Sequence, residues 1–119
     1  MIAPVEALNF YSPIVENQLR SGRKSATIRL GDKATKYRKG MIVAVLAGPR
    51  FSPRKKIFDA VIDKVEVKQL AELSPREIEH DNPEIRRPEE MAGLLGQLYN
   101  RDVAEDELVT VIRFSQIRS

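Results

Sequence analysis

Three polar residues of one short segment have types and spacing that suit a small pocket. Residues 21–32 read SGRKSATIRLGD and hold Lys24, Thr27 and Arg29 between two glycines. Thr27 and Arg29 are two positions apart, so they share one face of a strand, and Lys24 lies where a helix gives way to that strand. The three groups either converge on a pocket or form an ordinary polar strand face with a surface lysine. Spacing alone favours the polar strand face.

The chemistry open to this trio depends on the charge of the lysine. A threonine hydroxyl is a poor nucleophile unless a base takes its proton, and Lys24 can be that base only when neutral. The reference pKa of a lysine is about 10.4; burial lowers it, by up to ~3–5 units, and a nearby carboxylate raises it. A neutral Lys24 would suit hydrolysis by Thr27, whereas a charged one would make the trio a clamp for an anion or a carbonyl group.

Arg29 and Tyr37 are candidate ligand contacts. The planar fork of Arg29 suits a phosphate or the edge of a base, and a salt bridge with Asp32 or with an acid of residues 77–90 is equally consistent with the sequence. Tyr37 lies in a basic loop, residues 33–39, and has a ring of the kind that stacks on bases in single-strand binders. Covering an edge of the core is the commoner role for such a tyrosine.

The charge of the chain is distributed unevenly. Residues 20–56 hold twelve cations against the single acid Asp32, a net charge of +11, so the remainder sums to −8 for a whole-chain charge of +3. This asymmetry points to a polyanionic partner, most often nucleic acid, unless the acidic half folds over the basic half. Further cations of this stretch are candidate phosphate contacts: Arg23, Arg50, Arg54, Lys55 and Lys56.

Composition narrows the class of protein. The 119 residues, 42% of them hydrophobic, predict a single domain over 1–119 with its own core. No apolar run approaches the ~20 residues of a membrane span, and the start MIAPVEALNF lacks the features of a signal peptide. There is no cysteine, and the single histidine, His80, argues against a zinc site. We therefore expect a soluble cytoplasmic protein without a metal or a cofactor.

Periodicity and turn residues predict helices and strands in an α+β arrangement. The predicted helices are 12–20, a short one from Ser74, and 88–99, and the predicted strands are 25–30, 41–47, 57–67 and 107–117. Ser12 is the expected N-cap of the first helix, and Ser74 with Glu77 forms a capping box. The alternation of the third strand slips near Ala60, which predicts a bend or bulge. Widely separated strands with a late one returning suit a small mixed or closed β-barrel with helices at its rim.

The segment from Gly22 to Arg29, GRKSATIR, resembles the GxKxxTxR signature of the ASCH domain, a PUA-like β-barrel. Features around it match as well: a helix ends just before it, and Gly40 leads into an apolar strand. The close resemblance covers residues 19–48, and a looser one covers most of the chain. Four fixed positions in eight, in the right strand context, make the pocket interpretation the favoured one.

The resemblance also implies a function. ASCH and PUA-like domains are associated with RNA, so we expect RNA, a nucleoside or a nucleotide in the cleft beside the motif. Some small bacterial members are amidohydrolases of N4-acetylcytidine that use a lysine and a threonine of this motif and a later glutamate. Lys24 and Thr27 match directly, and counting from the late helix puts the glutamate at Glu84. Three more glutamates lie within the error of that count: Glu77, Glu79 and Glu89. Binder and enzyme both remain open.

Overall fold

In the part of the chain that the structure describes, five strands form one mixed sheet that curves into a half-barrel. A computed structural model describes residues 4–11, 13–49 and 52–118. The strands are β1 (Glu6–Phe10), β2 (Ala26–Leu30), β3 (Ile42–Ala47), β4 (Lys55–Gln69) and β5 (Leu108–Gln116). Their order across the sheet is β1-β3-β4-β5-β2, with β1 and β3 parallel and the other neighbours antiparallel. The end strands β1 and β2 are not paired with each other, and we call the gap between them the seam.

Three helices accompany the sheet, as the sequence predicts. They are α1 (Pro13–Arg20), α2 (Pro75–Asp81) and α3 (Pro88–Tyr99), with a 3₁₀ turn at Leu70–Glu72 before α2. The predicted capping box is confirmed: Ser74 Oγ accepts from the Glu77 N–H at 3.2 Å, and the Ser74 N–H donates to Glu77 Oε1 at 2.9 Å. Ser12, the predicted N-cap of α1, lies outside the described residues.

The first element of the fold is a strand, where the sequence predicts that a helix comes first. β1 has five residues, of which Leu8 and Phe10 are buried while Glu6 and Asn9 are partly exposed. So short an alternation is hard to recognise, and its partner β3 comes only after α1 and β2. Pairing with a distant parallel strand depends on tertiary contacts that no local pattern reveals.

The predicted irregularity of the long strand is present on both sides of Ala60. The pairing of β4 with β3 skips Ile57, and its pairing with β5 skips Asp63. An unpaired extra residue bends a strand and increases its twist. The two bulges therefore help a 15-residue strand to curve around the core.

Apolar side chains pack on both faces of the sheet. One cluster lies inside the half-barrel and includes Leu8, Val43, Val45, Ile62 and Ile112. The other lies between the sheet and the helices α2 and α3 and includes Ile28, Ile78, Met91, Leu95 and Val111. Because successive residues of a strand face opposite sides, β2 turns Ile28 to the helices and Thr27 and Arg29 to the inside. This alternation brings the polar pair to the interior face.

The loop between α3 and β5 is organised by Glu107. Its Oε1 accepts from Arg101 Nη2 at 2.6 Å, and its Oε2 accepts from the Ala104 N–H at 2.8 Å. The hydrogen bond from Arg101, followed by the one from the Ala104 backbone, lowers the pKa of Glu107 from 4.5 to about 2. The charged carboxylate therefore stabilises the folded loop above pH 4.5, and that contribution is lost as the pH falls towards 2.

We expect Glu107→Gln to reduce the acid sensitivity of the fold. The wild-type protein should lose more stability than the variant between pH 7 and pH 3, because only the wild type has a carboxylate to protonate at this position. Urea unfolding at both pH values measures the difference. Glu105→Gln, in the same loop, is the control and should behave as the wild type; equal losses in wild type and Glu107→Gln would contradict the assignment.

Candidate functional site

The side chain of Lys24 is buried where α1, β2 and α2 meet. Gly22, with a φ of +78°, ends α1 in the left-handed conformation that glycine adopts freely and turns the chain towards β2. The Lys24 N–H donates to Gln18 O at 3.0 Å, and the side chain is only 4% exposed. Its Nζ donates to Ala26 O at 2.9 Å and to Asp81 O at 2.7 Å. Lys24 therefore ties the beginning of β2 to the end of α2.

Asp81 is the acidic partner of Lys24. Its Oδ2 lies 3.3 Å from Lys24 Nζ and accepts a 2.7 Å hydrogen bond from the N–H of Ile28, on the free edge of β2. Asp81 is not among the residues that the sequence predicts for the site, where Glu84 is the expected carboxylate. One signal was available: an acid in the last turn of a helix is disfavoured by the helix dipole, so Asp81 needs a compensating cation.

Opposing influences act on the ionisation of Lys24. Burial lowers the pKa of Lys24 because the ammonium loses its hydration, and this is the largest effect. The Asp81 carboxylate raises the pKa by attraction and hydrogen bonding, and the charge of Arg29 lowers it. The net direction is downward. Burial and a nearby carboxylate, the two influences expected from the sequence, therefore both act on the pKa of Lys24, in opposite directions.

Thr27 and Arg29 form a second polar pair beside the seam. Arg29 Nε donates to Thr27 Oγ1 at 2.9 Å, and Arg29 Nη2 donates to Asn9 O of β1 at 2.9 Å. The guanidinium carbon lies 5.0 Å from the centre of the Phe10 ring, within cation–π range. The contacts of Arg29 are thus a hydroxyl, a carbonyl and a ring, instead of the acids that the sequence suggested. Its side chain links β2 to β1 where the sheet itself does not.

A cavity of about 530 Å³ opens at the seam between α1 and α3. Its buried polar lining includes Lys24, Thr27 and Asp81, with the half-buried Arg29 beside them. Its walls are apolar side chains of the two helices: Ile14, Val15, Met91, Leu94, Leu95 and Leu98. Its exposed charged residues, which we call the mouth, are Lys33, Lys36 and Glu84. Apolar walls with a few convergent polar groups, in a volume of about 300–1,000 Å³, are typical of small-molecule sites.

Solved structures share this architecture over most of their length. An ASCH domain from Lactobacillus crispatus JV V101 matches with a TM-score of 0.70 at 14% identity, covering 93% of this chain and 78% of that one. Protein EF3133 from Enterococcus faecalis V583 matches with a TM-score of 0.71 at 18% identity, covering 98% of this chain and 82% of that one. The chain has the ASCH fold.

A third structure, the hypothetical protein PH0355, matches with a TM-score of 0.63 at 17% identity and covers 94% of this chain and 98% of that one. No protein-family model matches the sequence, and no curated protein does. At these identities the likeness concerns the fold. It confirms the predicted α+β fold, a mixed barrel-like sheet with helices at its rim, and the sheet proves to be a half-barrel instead of a closed one.

Three motif residues and the glutamate placed by counting from the late helix lie at one cavity in this chain. Lys24, Thr27, Arg29 and Glu84 all line the cavity, with Glu84 at the mouth. The Glu84 N–H donates to Asn82 Oδ1 at 3.0 Å, which fixes the turn after α2. The other glutamates considered from the sequence do not line the cavity: Glu77, Glu79 and Glu89. Of the four, Glu84 is therefore the one placed to meet a ligand there.

Tyr37 covers an edge of the core and also borders the cavity. It is 4% exposed, and its hydroxyl donates to Ala7 O of β1 at 3.0 Å. The ammonium of Lys36 lies 5.5 Å from the centre of its ring. With so little exposed surface, the ring stabilises the β1 side of the seam, and stacking on a base would need it to move.

The other cations predicted for phosphate contact are not part of the cavity lining, although the guanidinium carbon of Arg54 lies 5.3 Å from the ring centre of Tyr11, which is part of it. Those that the structure describes are Arg23, Arg54, Lys55 and Lys56. Lys55 Nζ lies 3.8 Å from Glu16 Oε2, and Lys56 Nζ lies 2.8 Å from Asp59 Oδ1. Arg50 is outside the described residues. The positive charge of Lys55 and Lys56 is thus partly offset by acids of the chain itself.

Residues 4–11, 13–49 and 52–118 lack the features of a metal site and of a membrane-spanning helix. In these ranges no three side chains of His, Cys, Asp or Glu are grouped so that they could hold a metal ion. None of the helices described there has the length and apolarity to cross a membrane.

We expect Lys24→Met to cost about 3–5 kcal/mol of unfolding free energy, because it leaves the Asp81 carboxylate buried without its cation. Urea unfolding measures the loss, and adding Asp81→Asn should recover part of it. Lys64→Met is the control, because Lys64 forms an exposed ion pair with Glu66 and should contribute about 1 kcal/mol or less. Similar small losses for Lys24→Met and Lys64→Met would show that Lys24 does not hold β2 to α2.

Proposed function

We propose that this chain binds a nucleoside or a nucleotide, free or as one residue of an RNA, in the cavity at the seam. The observation that supports this most directly is the paired placement of Thr27 and Arg29 in the cavity lining. A guanidinium fixed by a hydroxyl, a carbonyl and an aromatic ring is preorganised to meet a planar acceptor group. The edge of a nucleobase is such a group.

The polar pair retains donors for a ligand. A guanidinium carries five N–H groups, and hydrogen bonds to Thr27 Oγ1 and Asn9 O engage two of those of Arg29. Because Thr27 Oγ1 accepts from Arg29, its own proton is available to an acceptor in the cavity. Donors of two side chains thus border one space. Base carbonyls and ring nitrogens are the complementary acceptors.

The walls suit the faces of a base. Val15 and Leu94 are half-buried, and Ile14 and Leu98 remain 68% and 45% exposed. A flat ring between α1 and α3 would cover this apolar surface, at roughly 25 cal/mol for each Å² removed from water. The walls would therefore contribute affinity, and hydrogen bonds from Thr27 and Arg29 would discriminate among the bases.

Calorimetric titration with adenosine, guanosine, cytidine, uridine and a short single-stranded RNA tests the proposal. We expect binding by at least one of these ligands. Arg29→Lys keeps the charge and loses the fork, so it should weaken binding about tenfold, equivalent to about 1.4 kcal/mol or one charged hydrogen bond. Thr27→Val keeps the shape and removes the hydroxyl, and should weaken binding by a similar or smaller factor.

Arg118→Lys is the matched control, because it makes the same change at an exposed position that is not part of the cavity lining. Each variant is first shown to unfold cooperatively in urea, since Arg29 also links β1 to β2. If none of the five ligands binds, or if Arg29→Lys and Arg118→Lys bind alike, the proposal is wrong.

An amidohydrolase of N4-acetylcytidine is the alternative, favoured by Lys24, Thr27 and Glu84 lining one cavity and by the lowered pKa of Lys24. Thr27 Oγ would attack the acetyl carbonyl as Lys24 took its proton. The C–N bond would break as Glu84 gave a proton to the cytidine nitrogen, and water would then release acetate from Thr27. Lys24 donates instead to Ala26 O and Asp81 O, and Thr27 accepts from Arg29. This geometry favours binding over activation of the hydroxyl.

A chromatographic assay for cytidine formed from N4-acetylcytidine distinguishes the two functions. The binding proposal expects no turnover over hours at high protein concentration. Turnover that Thr27→Val and Glu84→Gln each abolish, in proteins that remain folded, would establish the hydrolase. Lys24 is a poorer test position, because its replacement is expected to destabilise the fold.

A further inference from the structure

The lysines that lack an acidic partner are concentrated in one loop. All eight lysines of the sequence lie in the described residues. Those with a carboxylate oxygen within 4 Å are Lys24, Lys55, Lys56, Lys64 and Lys68. Those without such a partner among the described acids are Lys33, Lys36 and Lys39, all in the loop between β2 and β3. Unlike Lys55 and Lys56, these three lysines therefore form no direct ion pair with a described acid.

Two of these three lysines face the cavity. Lys33 and Lys36 form the β2–β3 side of the mouth, whereas Lys39 does not line the cavity. Both side chains are exposed, so both ammonium groups remain hydrated and charged in the free protein. Glu84 stands at the same mouth on the turn after α2. An anionic group on a ligand is therefore attracted towards the lysines and repelled by Glu84, which gives the ligand an orientation.

The loop that carries the two lysines is held in place. The Lys33 N–H donates to Thr110 Oγ1 at 2.8 Å, and that hydroxyl donates to Gly31 O at 2.7 Å. The N–H groups of Lys36 and Tyr37 both donate to Lys33 O at 3.0 Å. With Tyr37 buried against β1, the backbone under the two ammonium groups is fixed before a ligand arrives. Less ordering is then required on binding.

We propose that Lys33 and Lys36 form a phosphate subsite at the mouth, so that the ligand is a nucleotide whose base enters the cavity and whose phosphate stays at the rim. The inference rests on the proposed function and adds the chemical class of ligand. Lysine ammonium groups bind phosphate as mobile point charges, which suits a rim open to water. The phosphate is the terminal group of a mononucleotide or the diester of an RNA strand, and the two share this chemistry.

The test compares a nucleoside with phosphorylated forms of it. The ligands are a ribonucleoside that binds the wild-type protein, its 5′-monophosphate, and a trinucleotide of the same base with hydroxyl ends. At 50 mM salt we expect one or both phosphorylated ligands to bind at least tenfold more tightly than the nucleoside. The advantage should shrink as salt screens the exposed charges. A gain with the monophosphate alone identifies a terminal phosphate, and a gain with the trinucleotide alone identifies a strand diester.

The double variant Lys33→Gln/Lys36→Gln should abolish the advantage of the phosphorylated ligand over the nucleoside. Lys39→Gln is the matched control, because it removes an equally unpaired charge of the same loop from outside the cavity, and it should retain most of the advantage. If the nucleoside binds and neither phosphorylated ligand binds more tightly, or if the double variant keeps the advantage, the subsite is refuted and the nucleoside pocket stands. If no nucleoside, nucleotide or RNA binds, the proposed function itself has failed.

Discussion

β2 is the last strand of the sheet, so one of its edges has no neighbouring strand, and its backbone groups there are buried under helices. Buried backbone groups need hydrogen-bond partners, and Lys24 and Asp81 together provide them. The ammonium binds the carbonyls of Ala26 and Asp81, and the carboxylate of Asp81 binds the N–H of Ile28. Neither charge would be tolerated there alone, because an unpaired buried ion is costly. The position of β2, and with it the orientation of Thr27 and Arg29, depends on this ion pair.

The incomplete barrel and the cavity have a common origin. A closed barrel of this size would fill its interior with side chains, whereas here β1 and β2 stand apart and are linked through side chains. Arg29 of β2 binds Asn9 O of β1, and Tyr37, in the loop that follows β2, binds Ala7 O of β1. Such links hold the two strands at a distance that a backbone ladder would not allow. The space left between them, covered by α1 and α3, is the candidate site.

The sequence predicts most of this fold because most of its elements are marked locally. The capping box at Ser74, the glycine after α1 and the alternation of β2 each rest on neighbouring residues, and the ASCH signature adds the architecture. β1 escapes prediction because its pairing is decided by a strand far along the chain. Asp81 escapes for the same reason: its partner Lys24 is 57 residues away. The local motif indicates that Lys24, Thr27 and Arg29 belong to a site. Only the packing of α2 against β2 shows that Lys24 contacts Asp81.

The separation between Lys24 and the loop lysines bears on how proteins of this architecture diverge. In this chain the motif lysine is engaged in holding the scaffold, so the motif identifies an architecture more than a reaction. The side chains of Lys33 and Lys36 stand on a loop whose backbone is anchored by Thr110 and Tyr37. Their ammonium groups take no part in these hydrogen bonds, and that of Lys36 lies 5.5 Å from the centre of the Tyr37 ring. With the phosphate subsite that we propose, substitution at these two positions would alter ligand preference and leave the hydrogen bonds of the loop backbone in place. Sequence changes at the exposed mouth would then change the preferred ligand, while the buried residues of the cavity stay the same.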